Sequence, residues 1–97
     1  MIFELADIEI LHGHEAEFEA GVRAALPLFA RASGCHGATL HRVIEKERHY
    51  LLQVGWETVD DHMIHFRASA DFQTWRNFVG PHFARAPQVV HSVVAVE

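Results

Sequence analysis

Nine histidines in a chain of 97 residues set the first chemical question, because imidazole, with an unperturbed pKa of about 6.5, is the side chain that takes or gives a proton near neutrality. His62 stands out among them. At helical spacing it shares one face with Val59, Met63 and Phe66, so its ring points into apolar surroundings. A histidine there is a candidate proton acceptor, and the same pattern fits one satisfied within a core. Arg76, beside Trp75 and one turn after Phe72, supplies a cation that can hold developing negative charge. It can equally stack on the indole or pair with a carboxylate. Asp7 shares its strand face with Phe3 and Leu5, which makes it a hydrogen-bond partner for His or Arg, or a group at the mouth of a cavity. The catalytic candidates are therefore His62, Arg76 and Asp7. Trp56, Phe66, Phe72 and Trp75 are the aromatic side chains to line a pocket, or to build the core.

The histidines do not spell out a metal site. His62 and His65 are one helical turn apart, and His12 and His14 flank a turn, but there is no H-E-x-x-H motif and no cysteine pair to complete a ligand set. No metal and no cofactor is expected. The lone Cys35 excludes an internal disulfide and, with no basic neighbour in sequence, reads as an unreactive thiol.

Composition narrows the partners. Half the side chains are apolar, and 97 residues leave room for one core, so residues 1–97 read as a single domain. The formal charge is −5 and the eight Lys and Arg are scattered singly, which argues against a nucleic-acid partner. No apolar run is long enough for a membrane span, and Glu4, Asp7 and Glu9 interrupt what would have to be the core of a signal sequence. The expectation is a soluble, cytoplasmic protein with no membrane partner.

These side chains have to be positioned by the elements around them. Ile2 to Leu11 reads as a first strand, apolar on both faces. A helix follows Gly13, with Phe18, Val22, Ala25, Leu26, Phe29 and Ala32 on one face, Pro27 as a kink and Gly34 as the stop. Cys35 to Glu45 and Arg48 to Glu57 read as strands joined by a tight turn at Lys46-Glu47. Thr58, with Asp61 three residues on, caps a short helix carrying His62 and Phe66; after a break at Ala68-Ser69, Ser69 caps a second helix carrying Phe72, Trp75 and Arg76. Val89 to Val96 is a last strand whose β-branched run suggests burial on both faces. The fold class is α+β: a ferredoxin-like βαββαβ order with a split second helix and a four-stranded antiparallel sheet. Helices cover only one face of such a sheet, so the other is expected to pack on a second copy in a homodimer.

Several stretches carry a family resemblance: MIFELADIEI at the start, Pro27–Phe29, Gly34-Cys35, LHRVIEKERHYLLQVGWET and HFRASADFQTWRNFVGPHF. Together they resemble the antibiotic biosynthesis monooxygenase (ABM) domain family across nearly the whole chain. The resemblance implies a dimeric α/β barrel. It also implies a range of chemistry, from cofactor-free oxidation of aromatic polyketides or quinols to haem degradation and signal-molecule processing. The haem-degrading branch places an Asn, a Trp and a His where this chain has Asp7, Phe66 and Arg76, and without the His the iron loses its axial ligand. Haem degradation is disfavoured on that ground. The oxygenase branch is similar in a Trp ending the third strand, a hydrogen-bonding aromatic in the next helix and an Arg in the last helix, which fall on Trp56, His62 and Arg76, with His62 standing where the family has Tyr.

Two functions follow. One is a cofactor-independent monooxygenase or oxidase acting on a small phenol, quinol or polyketide-like molecule between sheet and helices, with His62 as base and Arg76 as the cation that holds the charge. The other is a non-catalytic or regulatory dimer that binds a small aromatic ligand in the same cavity.

Overall fold

A computed structural model describes every residue from Met1 to Glu97. Strand β1 (Ile2–Glu9) is its axis: it pairs antiparallel with β3 (His49–Trp56) on one side and with β4 (Gln88–Ser92) on the other, and β2 (Cys35–Arg42) completes the order β2-β3-β1-β4. Helix α1 (Glu15–Ala30), a π-helical turn (Asp61–Phe66), helix α2 (Ala70–Val79) and a 3-10 turn (Gly80–His82) make the connections. This is the expected ferredoxin-like α+β fold with a divided second helix.

Side-chain alternation along β1 sorts the molecule into layers. Glu4, Ala6 and Ile8 are buried beneath the helices, while Phe3, Leu5, Asp7 and Glu9 lie half-buried on the free face. From α1, Phe18, Val22, Ala25, Leu28 and Phe29 close the core over Ile8, Tyr50, Leu52 and Val54. Phe29 links the layers, its ring 5.2 Å from Phe66 and 5.0 Å edge-on from Trp75. The Tyr50 hydroxyl reaches the rim, where it donates to Glu19 at 2.6 Å.

Several boundaries differ from the sequence reading. Strand β1 ends at Glu9, and Ile10 continues it only as a single bridge to Phe83. The β2–β3 connection spans residues 43–48 rather than two residues, with Arg48 at φ 61°. Helix α1 runs through Pro27 to Ala30, with Leu28 buried and Leu26 exposed. Strand β4 stops at Ser92 and is not buried on both sides: Val90 is exposed beside Leu5 on the face that carries no helices, and exposed Val93 and Val94 lie beyond the end of the strand. No helix is long and apolar enough to cross a membrane.

Both expected caps are present. Thr58 Oγ1 accepts from Asp61 N at 3.1 Å and donates to Asp61 Oδ2 at 3.0 Å. Ser69 Oγ accepts from Phe72 N at 3.2 Å and donates to the Phe66 carbonyl at 2.5 Å, so one hydroxyl ends the π-helical turn and starts α2.

Helices α1 and α2 meet at Gly21, where an added Cβ would lie 2.7 Å from the Phe78 carbonyl oxygen. Backbone cannot yield there as a flexible side chain would. In an unhindered helix Gly→Ala stabilises by about 1 kcal/mol; Gly21→Ala is expected to destabilise instead, with a lower urea midpoint. A raised midpoint would contradict the close approach. Ser69→Ala should cost about 1 kcal/mol in the same measurement.

Candidate active site

A carboxyl group set among apolar neighbours is the unusual feature of the helix-covered sheet face. Even-numbered parity turns Glu4 inward with Ala6 and Ile8, and the strand register sets it between Val54 on β3 and His91 on β4. Trp56 closes one side: its Nε1–H donates to Glu4 Oε1 at 3.1 Å. The π-helical turn supplies the lid. Its widened hydrogen bonding, with Arg67 N donating to the His62 carbonyl at 3.2 Å, turns both His62 and Phe66 inward. Such single π-turns recur at functional sites.

His62 lies flat on Trp56, ring centroids 5.4 Å apart and planes 16° from parallel. Its Nε2 is 3.3 Å from Glu4 Oε1 and its Nδ1 is 2.9 Å from His91 Nε2. Glu4, His62 and His91 thus form one row of polar contacts across β1, the π-turn and β4, hydrogen-bonded between the two imidazoles and in close approach at the carboxyl. Both ring nitrogens of His62 are engaged, while His91 Nδ1 has no partner within the protein.

Burial sets the protonation of this chain. It pushes the Glu4 carboxyl up to about 7, against the opposing pull of the Trp56 hydrogen bond and the Arg67 charge. It lowers His62 to about 4, helped by the nearby His91 and Arg67. Both shifts disfavour charge. The close Glu4–His62 approach is therefore a polar contact of a neutral imidazole, not an ion pair. With Glu4 ionised, His91 Nε2–H donates to His62 Nδ1 and His62 Nε2–H faces the carboxylate; with one more proton taken up on Glu4, both imidazoles change tautomer, and His62 Nδ1–H donates to His91 Nε2.

Beside this chain opens a cavity of about 800 Å³, bounded by His62, His91, Phe72, Trp75, Arg67 and Arg76, with Phe83, Arg85, Pro87 and Val89 at its edge. The Arg67 guanidinium lies 5.7 Å from the centre of the Phe72 ring. Arg85 pairs with Glu9 at 3.4 Å; Arg67 and Arg76, which also line the cavity, make no ion pair with a carboxylate.

His62, Arg76, Phe72 and Trp75 thus converge on one cavity. Three other candidates do not. Asp7 lies half-buried on the opposite sheet face, between Leu51 and Gln88 in register, because odd-numbered β1 residues point away from the helices. Trp56 is fully buried behind His62 and bounds no open space. Phe66 is likewise interior, packed between Phe29, Trp56 and Phe72. Sequence reasoning missed Glu4, His91 and Arg67. The parity that made Asp7 a candidate carries the signal for Glu4, which shares its face with Ala6 and Ile8.

The ABM family model, Antibiotic biosynthesis monooxygenase, matches residues 1–77. An uncharacterized protein of Bacillus subtilis, YczJ, is 35% identical over 91 residues, covering 94% of this chain and 96% of that one. A Bordetella bronchiseptica structure assigned as an antibiotic biosynthesis monooxygenase is 57% identical, with a TM-score of 0.97 over 98% of this chain and 97% of that one. SnoaB, a cofactor-independent oxygenase from Streptomyces nogalater, shares the fold at a TM-score of 0.84 and 20% identity, covering 99% of this chain and 94% of that one.

The two opposite shifts have a signature in stability. Glu4 binds its proton more tightly in the fold than its ordinary 4.5, so its contribution is full below that value and is lost as pH rises through about 7. His62 resists protonation relative to its ordinary 6.5, so its cost is absent above that value and grows as pH falls towards about 4. Between about 4.5 and 6.5 the two slopes oppose each other, and the pair should leave stability nearly flat with pH. Single substitutions unmask them. Glu4→Gln stability should rise with pH across this window, and His62→Gln stability should fall across it. Urea titrations at five pH values check this; parallel curves for the two variants would refute the assignment.

Proposed function

Since the chain belongs to the antibiotic biosynthesis monooxygenase family, we propose that it is a cofactor-independent oxygenase of a small phenol or hydroquinone bound in the cavity. One observation carries the reading: buried Glu4 and His62, with half-buried His91, line up beside a cavity that Arg67 and Arg76 also border. That is a proton acceptor facing a cation.

The chain works as a relay. His91 Nδ1 takes the phenolic proton, His91 Nε2–H passes to His62 Nδ1, and His62 Nε2–H passes to Glu4. One proton leaves the substrate and one arrives on the carboxylate, with both imidazoles changing tautomer. The resulting anion lies near Arg76 and Arg67, which favour its charge. An electron then passes from the anion to O2, and the radical and superoxide combine to form a C–O bond. Protonation of the peroxide and loss of water, with removal of the remaining C–H proton, leave a carbonyl. For a methylene substrate of the anthrone kind the balance is CH2 and O2 to C=O and H2O. Phe72 and Trp75 supply apolar walls for the ring.

His62 is a poor terminal base when its own pKa lies near 4. The pH dependence therefore belongs to the coupled chain ending on Glu4, and kcat/KM should rise with pH through about 7, rather than through the imidazole's ordinary value. Glu4→Gln should remove that limb and lower turnover roughly 10²-fold, the usual size of a general base's contribution. Arg76→Lys should also slow turnover, since an ammonium cannot stack on an aromatic ring or donate two parallel bonds. Oxygen uptake on hydroquinones and anthrone-type phenols is the assay. Tight binding of such compounds with no uptake would favour the ligand-binding dimer.

We also propose that the free sheet face is a homodimer interface. It presents Phe3, Leu5, Leu51 and Val90, of which Leu51 and Val90 are 44% and 60% exposed, and a monomer gains nothing by leaving them in water. Light scattering should give twice the 11.0 kDa of one chain. Leu51→Lys should shift the population towards monomer; a wild-type monomer at micromolar concentration would refute the interface.

A further inference from the structure

A second cluster of ligating groups lies apart from the cavity. His14 precedes α1 without making a side-chain cap, Glu17 follows in the first turn, and His82 closes the 3-10 turn after α2. The ring nitrogens His14 Nδ1 and His82 Nδ1 face each other at 3.0 Å. Glu17 Oε2 is 4.0 Å from His82 Nδ1, and the three donor atoms lie within 4.8 Å of one another.

We infer that His14, Glu17 and His82 form a binding site for a divalent first-row transition ion, with zinc the best match to two imidazoles and a carboxylate. The distances carry the argument. Zinc–nitrogen bonds of about 2.0–2.1 Å at a near-tetrahedral angle put two nitrogens roughly 3.3 Å apart, close to the 3.0 Å seen here. A hydrogen bond between two neutral imidazoles would also fit that spacing, but it leaves the adjacent carboxylate unused. Glu17 is exposed, with 70% of its side-chain surface open, so a rotamer change can bring its oxygen onto the ion. Three protein ligands leave a fourth position for water. Imidazole donors favour zinc, nickel or copper over magnesium or calcium, which prefer oxygen.

The ion would join parts of the chain that are distant in sequence. The backbone there is already drawn together: Leu11 N donates to the His82 carbonyl at 2.8 Å, and Ile10 bridges Phe83. Phe83, Arg85 and Pro87, which follow His82 directly, border the cavity. Metal binding would therefore fasten that border to the start of α1.

The test uses full-length, tag-free protein stripped with chelator and titrated with zinc chloride by calorimetry, with thermal melting in parallel. One zinc per chain should bind and raise the melting temperature, and magnesium should not. His14→Ala and His82→Ala should each abolish this site, an effect larger than the roughly 10–100-fold that loss of an outer-shell partner costs. Cobalt in place of zinc should give the strong visible bands of a tetrahedral nitrogen–oxygen site, again lost in both variants. Should either variant fail to fold by circular dichroism, Glu17→Gln serves instead, because its side chain is exposed; it should weaken zinc by at least roughly 10-fold. Zinc binding of equal affinity and stoichiometry in wild type and folded variants would overturn the site, as would a wild type that binds no zinc.

Discussion

Desolvation of one carboxyl group organises the cavity-bearing half of this molecule. Glu4 occupies a position on the central strand where its neighbours are Ala6 and Ile8, and a carboxylate there would cost several kcal/mol if left unpaired. The surroundings answer that cost with an indole N–H, an imidazole and the field of Arg67. None of these is a tight counter-ion. The carboxyl consequently stays on the boundary between its two protonation states, which a salt bridge to Arg would have removed by holding it ionised. Trp56 has a double part: it donates to Glu4, and it provides the flat surface that fixes the plane of His62.

The fold was largely legible from period and punctuation. Strand alternation, the helix following Gly13 and the caps at Thr58 and Ser69 each rest on local rules, and local rules governed those segments. The failures have a physical pattern. Strand β4 was expected to be buried because of the β-branched run from Val89 to Val96, yet burial is decided by what packs above: Val90 faces the side of the sheet that carries no helices, and Val93 and Val94 lie beyond the strand's end. The β2–β3 connection was expected to be tight, but Arg48 takes a left-handed conformation in a longer loop.

The site was legible only in part. His62 is legible from helical spacing with Phe66, whereas Arg76, which is exposed, is legible only from its place beside Trp75 and from the family resemblance. Glu4 and His91 lie on different strands, 87 positions apart by their numbers, and meet only through the antiparallel register of β1 with β4. No periodicity within a single segment encodes that meeting. Asp7 shows the converse: a plausible carboxylate one parity step from the inward face points to the wrong side of the sheet.

The cavity divides its tasks between two structural layers. Glu4 and His91 are on strands, where each side chain is fixed by backbone pairs on both flanks of β1. Phe72, Trp75 and Arg76 are on α2, which is attached through the Ser69 cap and its contact with α1 at Gly21. Substitutions on the inner face of α2 can reshape what the cavity accepts without disturbing strand register. Relatives built on this scaffold can therefore differ in what the cavity holds while keeping the same Glu4–His62–His91 arrangement, and a library confined to Phe72, Trp75 and Arg76 would explore that divergence.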